Sequence, residues 1–360
     1  MKIALLGDIA LIGKYDLTNN VHAKSVLENV ANHLQQYDYV IGNLESPLTT
    51  QQNTIVCKSM HLKSPVNNIE LLKYLNISAV SLANNHSYDY GRKAIDETIS
   101  VLKQNNIDYF GIDGKSILIN DISISGFCCY STNAVGYSRN KSKKGLNSLI
   151  YSDVIKQVEH DNKSNKLSLL SFHWGDEHTN YPRYDHIKFA RLLAEINDIV
   201  ISGHHPHVIQ GVEQIANSVI AYSQGNFCFD DCIAISGTGM IVKQNYENRE
   251  SFILEIDIEG NKIISFKTIG IREISGQIVF DSIANKLSEI SLALKNINDE
   301  DKYQERRVTQ ISNPEFRLKK FGSKNIKWYI KRLNYYAIGS FIRAKFNALK
   351  YRKLFSANKL

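Results

Sequence analysis

The apolar run Asp198-Ile-Val-Ile-Ser202 stops at Gly203 and is followed at once by His204, His205, Pro206 and His207. Packing does not ask for three imidazoles in four residues, since histidine is only intermediate in its preference for the interior. Neutral imidazoles crowded at a strand end are good ligands for zinc, iron or manganese. The chain must therefore fold so that other metal-competent side chains reach the end of this strand.

Four more apolar runs end in polar residues. Lys2 to Leu6 leads to Gly7-Asp8, Tyr37 to Leu44 ends at Asn43 and Glu45, Ala79 to Leu82 enters Ala83-Asn84-Asn85-His86, and Leu167 to Phe172 enters His173. A sixth run, Val219 to Phe229, reads as one strand interrupted at Gly225-Asn226. Helical spacing separates these runs, at about residues 20–36, 69–75, 91–104, 152–161 and 184–196. Short strands alternating with helices predict an α/β sandwich. Open α/β sheets place their sites at the carboxyl ends of the strands, where these residues fall.

The residue types suit a dinuclear centre. Asp8 and Glu45 supply the negative charge that two cations need, His173, His205 and His207 supply nitrogen, and Asn85 a neutral oxygen. Two divalent ions (Mn, Fe or Zn) about 3.5–4 Å apart can clamp a phosphoryl group and acidify a bridging water. His86 is positioned in the chain to protonate a leaving oxygen, and Asp89 to hold His86. Tyr88, Trp174, Glu177 and Asn226 are the candidate substrate-facing residues. Tyr88 and Trp174 fit either a sugar or polymer groove or simple packing. Asp176 and Glu177 either orient His173 or face solvent.

The overall net charge of +7 conceals an asymmetry: residues 314–360 carry 13 Lys and Arg against one acid, Glu315, so a +12 tail follows a −5 body. From Lys324 onward Ile326, Ile330, Leu333, Ala337, Phe341, Ala344 and Ala348 share one face, predicting one long basic amphipathic helix, or two broken at Gly339. This tail suits an anionic membrane surface, an acidic polymer or protein partner such as a synthase, or packing on the body with a solvated basic face. No recognised nucleic-acid motif accompanies the charge. No Gly-x-x-x-x-Gly-Lys loop is present to cradle a nucleotide triphosphate. Five cysteines without zinc-finger spacing, Cys128 and Cys129 adjacent among them, read as buried free thiols in a reducing compartment. The first apolar run breaks at Asp8 without a cleavage signature, and no stretch reaches about 18 apolar residues. The expected location is the cytoplasm, at most peripheral at the inner face of the membrane.

Gly7-Asp8, Gly42-Asn-Leu-Glu-Ser-Pro47, Ala83-Asn-Asn-His-Ser-Tyr-Asp-Tyr-Gly91, His173-Trp-Gly175, Gly203-His-His-Pro-His207 and Tyr222-Ser-Gln-Gly-Asn-Phe227 together resemble the CapA family. This family comprises bacterial capsule and poly-γ-glutamate synthesis proteins within the calcineurin-like metallophosphoesterase superfamily. The resemblance runs from about residue 2 to 270 and implies a four-layer α/β/β/α metallophosphoesterase-like sandwich. It implies Asp8 in the first metal motif, Glu45 as bridging carboxylate, and Asn85, His173, His205 and His207 as ligands, with His86 catalytic. Two positions depart from the wider superfamily. Asp8-Ile9-Ala10 replaces Asp-x-His, and Gly42-Asn43 replaces Gly-Asp, with Glu45 displaced by two residues. The expected organisation is a CapA-like domain over residues 1–275 and a helical extension over 276–360, basic from 314. The expected function is a metal-dependent, phosphatase-like hydrolase in capsule, surface-polysaccharide or poly-γ-glutamate synthesis, acting on an anionic polymer or phosphorylated glycan. The alternative is a non-catalytic polymer-binding or export factor of a membrane-bound synthase.

Overall fold

Ile3 and Leu5 alternate with Ala4 and Leu6, and all four are fully buried. A strand apolar on both faces belongs inside a layered fold. In the computed structural model, which describes residues 1–54, 58, 60–138, 144–233, 241–295, 300–314, 318 and 335–354, this strand is central. The chain order is β1 (Lys2–Ile9), α1 (Ala23–Val26), α2 (Glu28–Leu34), β2 (Tyr39–Leu44), α3 (Ile69–Tyr74), β3 (Ala79–Ser81), α4 (Gly91–Gln104), β4 (Asp108–Phe110), β5 (Ile117–Ile119) and β6 (Ile122–Cys128). There follow α5 (Tyr151–Lys163), β7 (Leu167–His173), α6 (Tyr184–Ile196), β8 (Ile199–His204), β9 (Val212–Ile215), β10 (Ser218–Ala221) and β11 (Asn226–Cys228). The last elements are β12 (Cys232–Ile233), β13 (Ile241–Val242), β14 (Glu250–Glu259), β15 (Lys262–Ile274), β16 (Gln277–Phe280), α7 (Ala284–Lys295), α8 (Glu300–Ser312) and α9 (Tyr335–Leu354).

One sheet has the order β16-β15-β14-β1-β2-β3-β4, with β11 also paired to β1, and a second has the order β5-β6-β7-β8-β10-β9. Apolar side chains divide into three main interfaces. Ala4, Leu6, Val40 and Val80 meet helical Val30, Leu72 and Leu102 on one side of the first sheet. Ile3, Leu5 and Leu254 meet Leu169, Val200 and Val219 between the sheets. Leu170, Phe172 and Ile201 meet Val154, Phe189 and Leu193 on the far side of the second sheet. The result is an α/β/β/α sandwich.

The run from Val219 to Phe229 is not one strand. β10 lies parallel to β8 in the second sheet, whereas β11 lies parallel to β1 in the first. The chain crosses between sheets at Gly225, whose φ of +75° and closeness to the Glu250 carbonyl exclude a side chain. Gln224 ties the crossing down: it accepts from Ser202 Oγ and donates to the carbonyls of Leu5 and Phe252. Leu27 divides the helix expected over 20–36 into α1 and α2. The charged stretch near 298–310 is largely helical, as α8. It docks on the body: Tyr303 is buried and donates to the Pro182 carbonyl, and Arg307 pairs with Asp176. α9 continues through Gly339, while the start of the predicted basic helix lies outside the described residues. Cys128, Cys129, Cys228 and Cys232 are free and buried, and Cys57 lies outside the described residues. Among the described residues no helix is long and apolar enough to cross a membrane.

At Gly203 an added Cβ would lie 1.9 Å from the Tyr222 carbonyl oxygen, whereas at Gly260 nothing lies within 4 Å. Gly203→Ala is therefore expected to cost about 3 kcal/mol, the upper part of the overpacking range. Gly260→Ala pays only for its left-handed backbone, about 1 kcal/mol. Urea unfolding midpoints check the contrast, and equal costs would refute it.

Candidate metal centre

Backbone pairing sets the frame. Asp8 lies opposite Asn43 on β2 and Asn226 on β11, while His173 lies opposite His204 on β8. The carboxyl ends of parallel strands from both sheets thus meet at one point, and Asp8, Glu45, Asn85, His86, His173 and His205 are all buried there.

Glu45 Oε1 is the hub. The Nε2 atoms of His86, His173 and His207 stand 3.9, 3.9 and 3.8 Å from it. Both Glu45 carboxylate oxygens are buried without a hydrogen-bond partner. Burial, and then the charge of Asp8, push this carboxyl well above the usual carboxylate range. Asp8 is treated differently. Burial raises it, but His204, whose Nδ1 is 3.2 Å from Oδ1, His207 at 3.4 Å and Asn43 outweigh burial and hold it below its usual range. One ligand atom each from Asp8, Glu45 and His207 lie within 4.8 Å of one another. Asn85 Oδ1 lies 2.9 Å from His173 Nε2, and the His205 ring is 4.8 Å from the His173 ring.

Neighbouring amides set the imidazoles. Asn226 Nδ2 donates to the Asn248 carbonyl and to Gln244 Oε1, so its Oδ1 is the acceptor that faces His207 Nδ1 at 2.9 Å. His207 is then protonated on Nδ1 and turns the Nε2 lone pair toward Glu45. Burial, and then neighbouring imidazoles, push His173 well below the usual histidine range, while burial first brings His205 down to about 4. Both are neutral at pH 7 and able to give a lone pair. His86 Nδ1 donates to Asp89 Oδ2 at 2.6 Å. Burial, and then Lys58, lower His86, with Asp89 opposing both. Burial would raise Asp89, but Lys58 and His86 bring it down to about 2.

These donors fit divalent ions. Two carboxylates, an amide oxygen and neutral imidazoles surround a buried carboxylate whose oxygens no protein group satisfies. Ala10 stands in no such role. It is fully buried against Leu62, Phe229 and Cys232, so apolar packing fills its surroundings.

Two expected substrate-facing residues sit elsewhere. Trp174 is buried in the helix-facing core of the second sheet, stacked on His186 at 4.7 Å and donating to the Tyr222 carbonyl. Tyr88 is buried in the first core, with Gly136 pressed against its ring. For both, packing against the fold overrides the exposed-groove reading. Glu177 is exposed near the centre, where its charge acts on Glu45 and His205. Asp176 pairs with Arg307 rather than with His173.

Sequence reasoning assigned no role to four residues that the structure brings to the centre. Asn43 Nδ2 donates to Asp8 Oδ1, and Asn84 Nδ2 donates to Asn43 Oδ1. Asn84 Oδ1 accepts from the main chain of His86 and Ser87, shaping the turn. His204 flanks Asp8, and Lys58 is buried against Asp89. The paired asparagines and the histidine cluster signal the first three, whereas nothing around Lys58 marks it.

Residues 2–231 match the family model described as "Bacterial capsule synthesis protein PGA_cap". The chain belongs to this family. Among characterised relatives of these capsule synthesis proteins, the chain is 29% identical over 242 residues to the "PGA biosynthesis protein CapA" of Bacillus subtilis, covering 64% of this chain and 63% of that one. It is 26% identical over 273 residues to the "Capsule biosynthesis protein CapA" of Bacillus anthracis, covering 71% and 66%. A "Probable polyglutamine synthesis accessory protein" of Mycobacterium tuberculosis is 23% identical over 274 residues, covering 69% and 68%. The chain thus spans just under two thirds of the length of the two Bacillus relatives.

The buried, unpaired Glu45 carboxylate generates a prediction with opposite signs in two buffers. In chelator, Glu45→Gln is expected to gain about 1 kcal/mol, because a neutral amide is less costly to bury unpaired. Saturating Mn2+, worth about 2.7 kcal/mol to the wild type at a hundredfold excess over Kd, is expected to stabilise the variant far less. Thermal melts with and without Mn2+ decide it.

Proposed function

We propose that this chain is a metal-dependent hydrolase of the phosphoesterase kind that serves capsule, surface-polysaccharide or poly-γ-glutamate synthesis. Glu45 carries the reading, as a fully buried carboxylate with no protein partner, ringed by three imidazole Nε2 atoms at 3.8–3.9 Å. The printed names of the Bacillus relatives support the capsule and polymer context. The substrate class proposed is a phosphorylated glycan or other anionic polymer.

Asp8, Glu45, Asn85, His173, His205 and His207 would hold one or two Mn, Fe or Zn ions. When bound, such ions supply Lewis acidity and an acidified water. The chain's own residues do the rest. Asn43 keeps Asp8 oriented by donating to Oδ1, and the His205 main-chain amide donates to Oδ2. Asn226 fixes the His207 tautomer. Asp89 holds the Nδ1 proton of His86, so His86 Nε2 is the atom that takes up a proton and hands it to a leaving oxygen. Asn226, beside His207, and Glu177 are the proposed substrate contacts.

α9 supports a surface role alongside catalysis. Its Tyr335, Ile338, Phe341, Ile342, Phe346 and Leu349 are exposed together with Arg343, Lys345 and Lys350. Apolar and cationic side chains on one exposed helix suit an anionic membrane surface. This reading puts the protein peripherally at the inner face of the membrane, within reach of a synthase.

Elemental analysis of protein purified without chelators is expected to find divalent metal, and the Mn2+-supplemented protein to hydrolyse an aryl phosphate or phosphodiester. His86→Ala is expected to lower kcat by about 100- to 10,000-fold with metal content unchanged. Metal-free protein that turns over nothing on that panel would sink the hydrolase reading. Separately, ending the chain after Asn313 is expected to move it from the membrane to the soluble fraction, and unchanged partitioning discards the membrane reading.

A further inference from the structure

Lys58 is a lysine whose side chain is only 6% exposed. A buried ammonium is tolerated when it is paired and hydrogen-bonded, and its two partners are informative. Nζ donates to the Asn85 main-chain carbonyl at 2.6 Å and to Asp89 Oδ1 at 2.8 Å. The other Asp89 oxygen accepts from His86 Nδ1 at 2.6 Å and from the Leu62 amide at 2.9 Å.

Two arms therefore leave one cation. The first runs through Asp89 to His86, whose Nε2 ends 3.9 Å from Glu45 Oε1. The second runs through Asn85, whose side-chain oxygen meets His173 Nε2 at 2.9 Å, and that nitrogen also ends 3.9 Å from Glu45 Oε1. Both acceptors lie in the short turn between Asn85 and Asp89, whereas the donor arrives from 27 and 31 residues earlier in the chain. A cation needed only for stability has no reason to join these two groups, since well-packed apolar residues replace buried ion pairs at little or no cost.

We propose that Lys58 is a positioning residue that locks the turn bearing His86 and Asn85, so that the proton-carrying imidazole and the amide ligand keep a fixed spacing across Glu45. The role rests on the hydrolase reading of this centre. Lys58 touches no reacting atom and acts through Asp89 and Asn85.

The test uses the full chain in zinc buffer, Zn2+ being diamagnetic, and reads two signals. The first is the far-downfield proton resonance of an imidazole Nδ1–H donating to a buried carboxylate, assigned by its loss in His86→Gln. The second is aryl-phosphate turnover. Lys58→Met is expected to move or abolish the resonance and to lower kcat by about 10- to 100-fold, the range for groups that orient a metal site, with KM within about twofold. Lys58→Arg keeps the charge but replaces a point donor with a planar fork. It is expected to retain a shifted resonance and an intermediate kcat. An unchanged resonance in folded Lys58→Met overturns the proposal. If Lys58→Met does not fold, Lys58→Arg decides: resonance and turnover equal to wild type overturn it. Should the wild type show no turnover, the hydrolase reading fails, while the resonance still reports whether Lys58 positions His86.

Discussion

Glu45 is buried with both oxygens unpaired, a short distance from the equally buried Asp8. Two carboxylates held out of water repel one another and forgo hydration, a cost of several kcal/mol per ion even after relaxation. His173 and His205 cannot offset it, because burial keeps them neutral. Lys58 is already engaged by Asp89. The surrounding protein thus orients lone pairs toward a concentration of negative charge and supplies little positive charge of its own. Such a centre has the charge and the lone pairs that a divalent cation needs.

That concentration exists because the segment crossing between the sheets, Tyr222 to Gly225, packs closer than ordinary side chains permit. Gly7 faces the Gly225 carbonyl, and Gly203 faces the Tyr222 carbonyl, in both cases at distances that exclude a Cβ. These contacts let the chain leave the second sheet after β10 and join β1 as β11, which sets Asn226 beside His207. The amides around the centre then act as a scaffold for direction rather than charge. Asn43, Asn84 and Asn226 each decide which way a charged or basic neighbour points.

Much of this architecture was legible beforehand, and the exceptions have physical causes. Apolar runs ending in Asp8, Glu45, Asn85, His173 and His205 mark strand ends, and the fold brings those ends together. Strand identity is local, but sheet membership is not: nothing between Val219 and Phe229 says that Gly225 changes sheets. For Trp174 and Tyr88 the sequence left groove and packing both open, because proximity in sequence to a site residue says little about side-chain direction. Trp174 lies one residue past the end of β7, and its side chain enters the helix-facing core while His173 turns to the centre. Lys58 was invisible for a different reason. Lysine is normally a surface residue, and only the approach of its ammonium to Asp89 shows otherwise.

The central position of β1 has a consequence for how the protein is made. Its antiparallel partner β14 arrives late enough that the Met1 amino group bonds the Ile258 carbonyl, 257 residues downstream. Contacts of such sequence separation close slowly, because a long loop must be ordered before it is rewarded. On a ribosome the strand bearing Asp8 emerges well before β11 and β14 and waits for them before its sheet is complete. Until then its apolar faces are exposed to misassociation. The arrangement around Glu45 can assemble only after translation has passed Asn226, so the site belongs to the end of folding rather than its beginning.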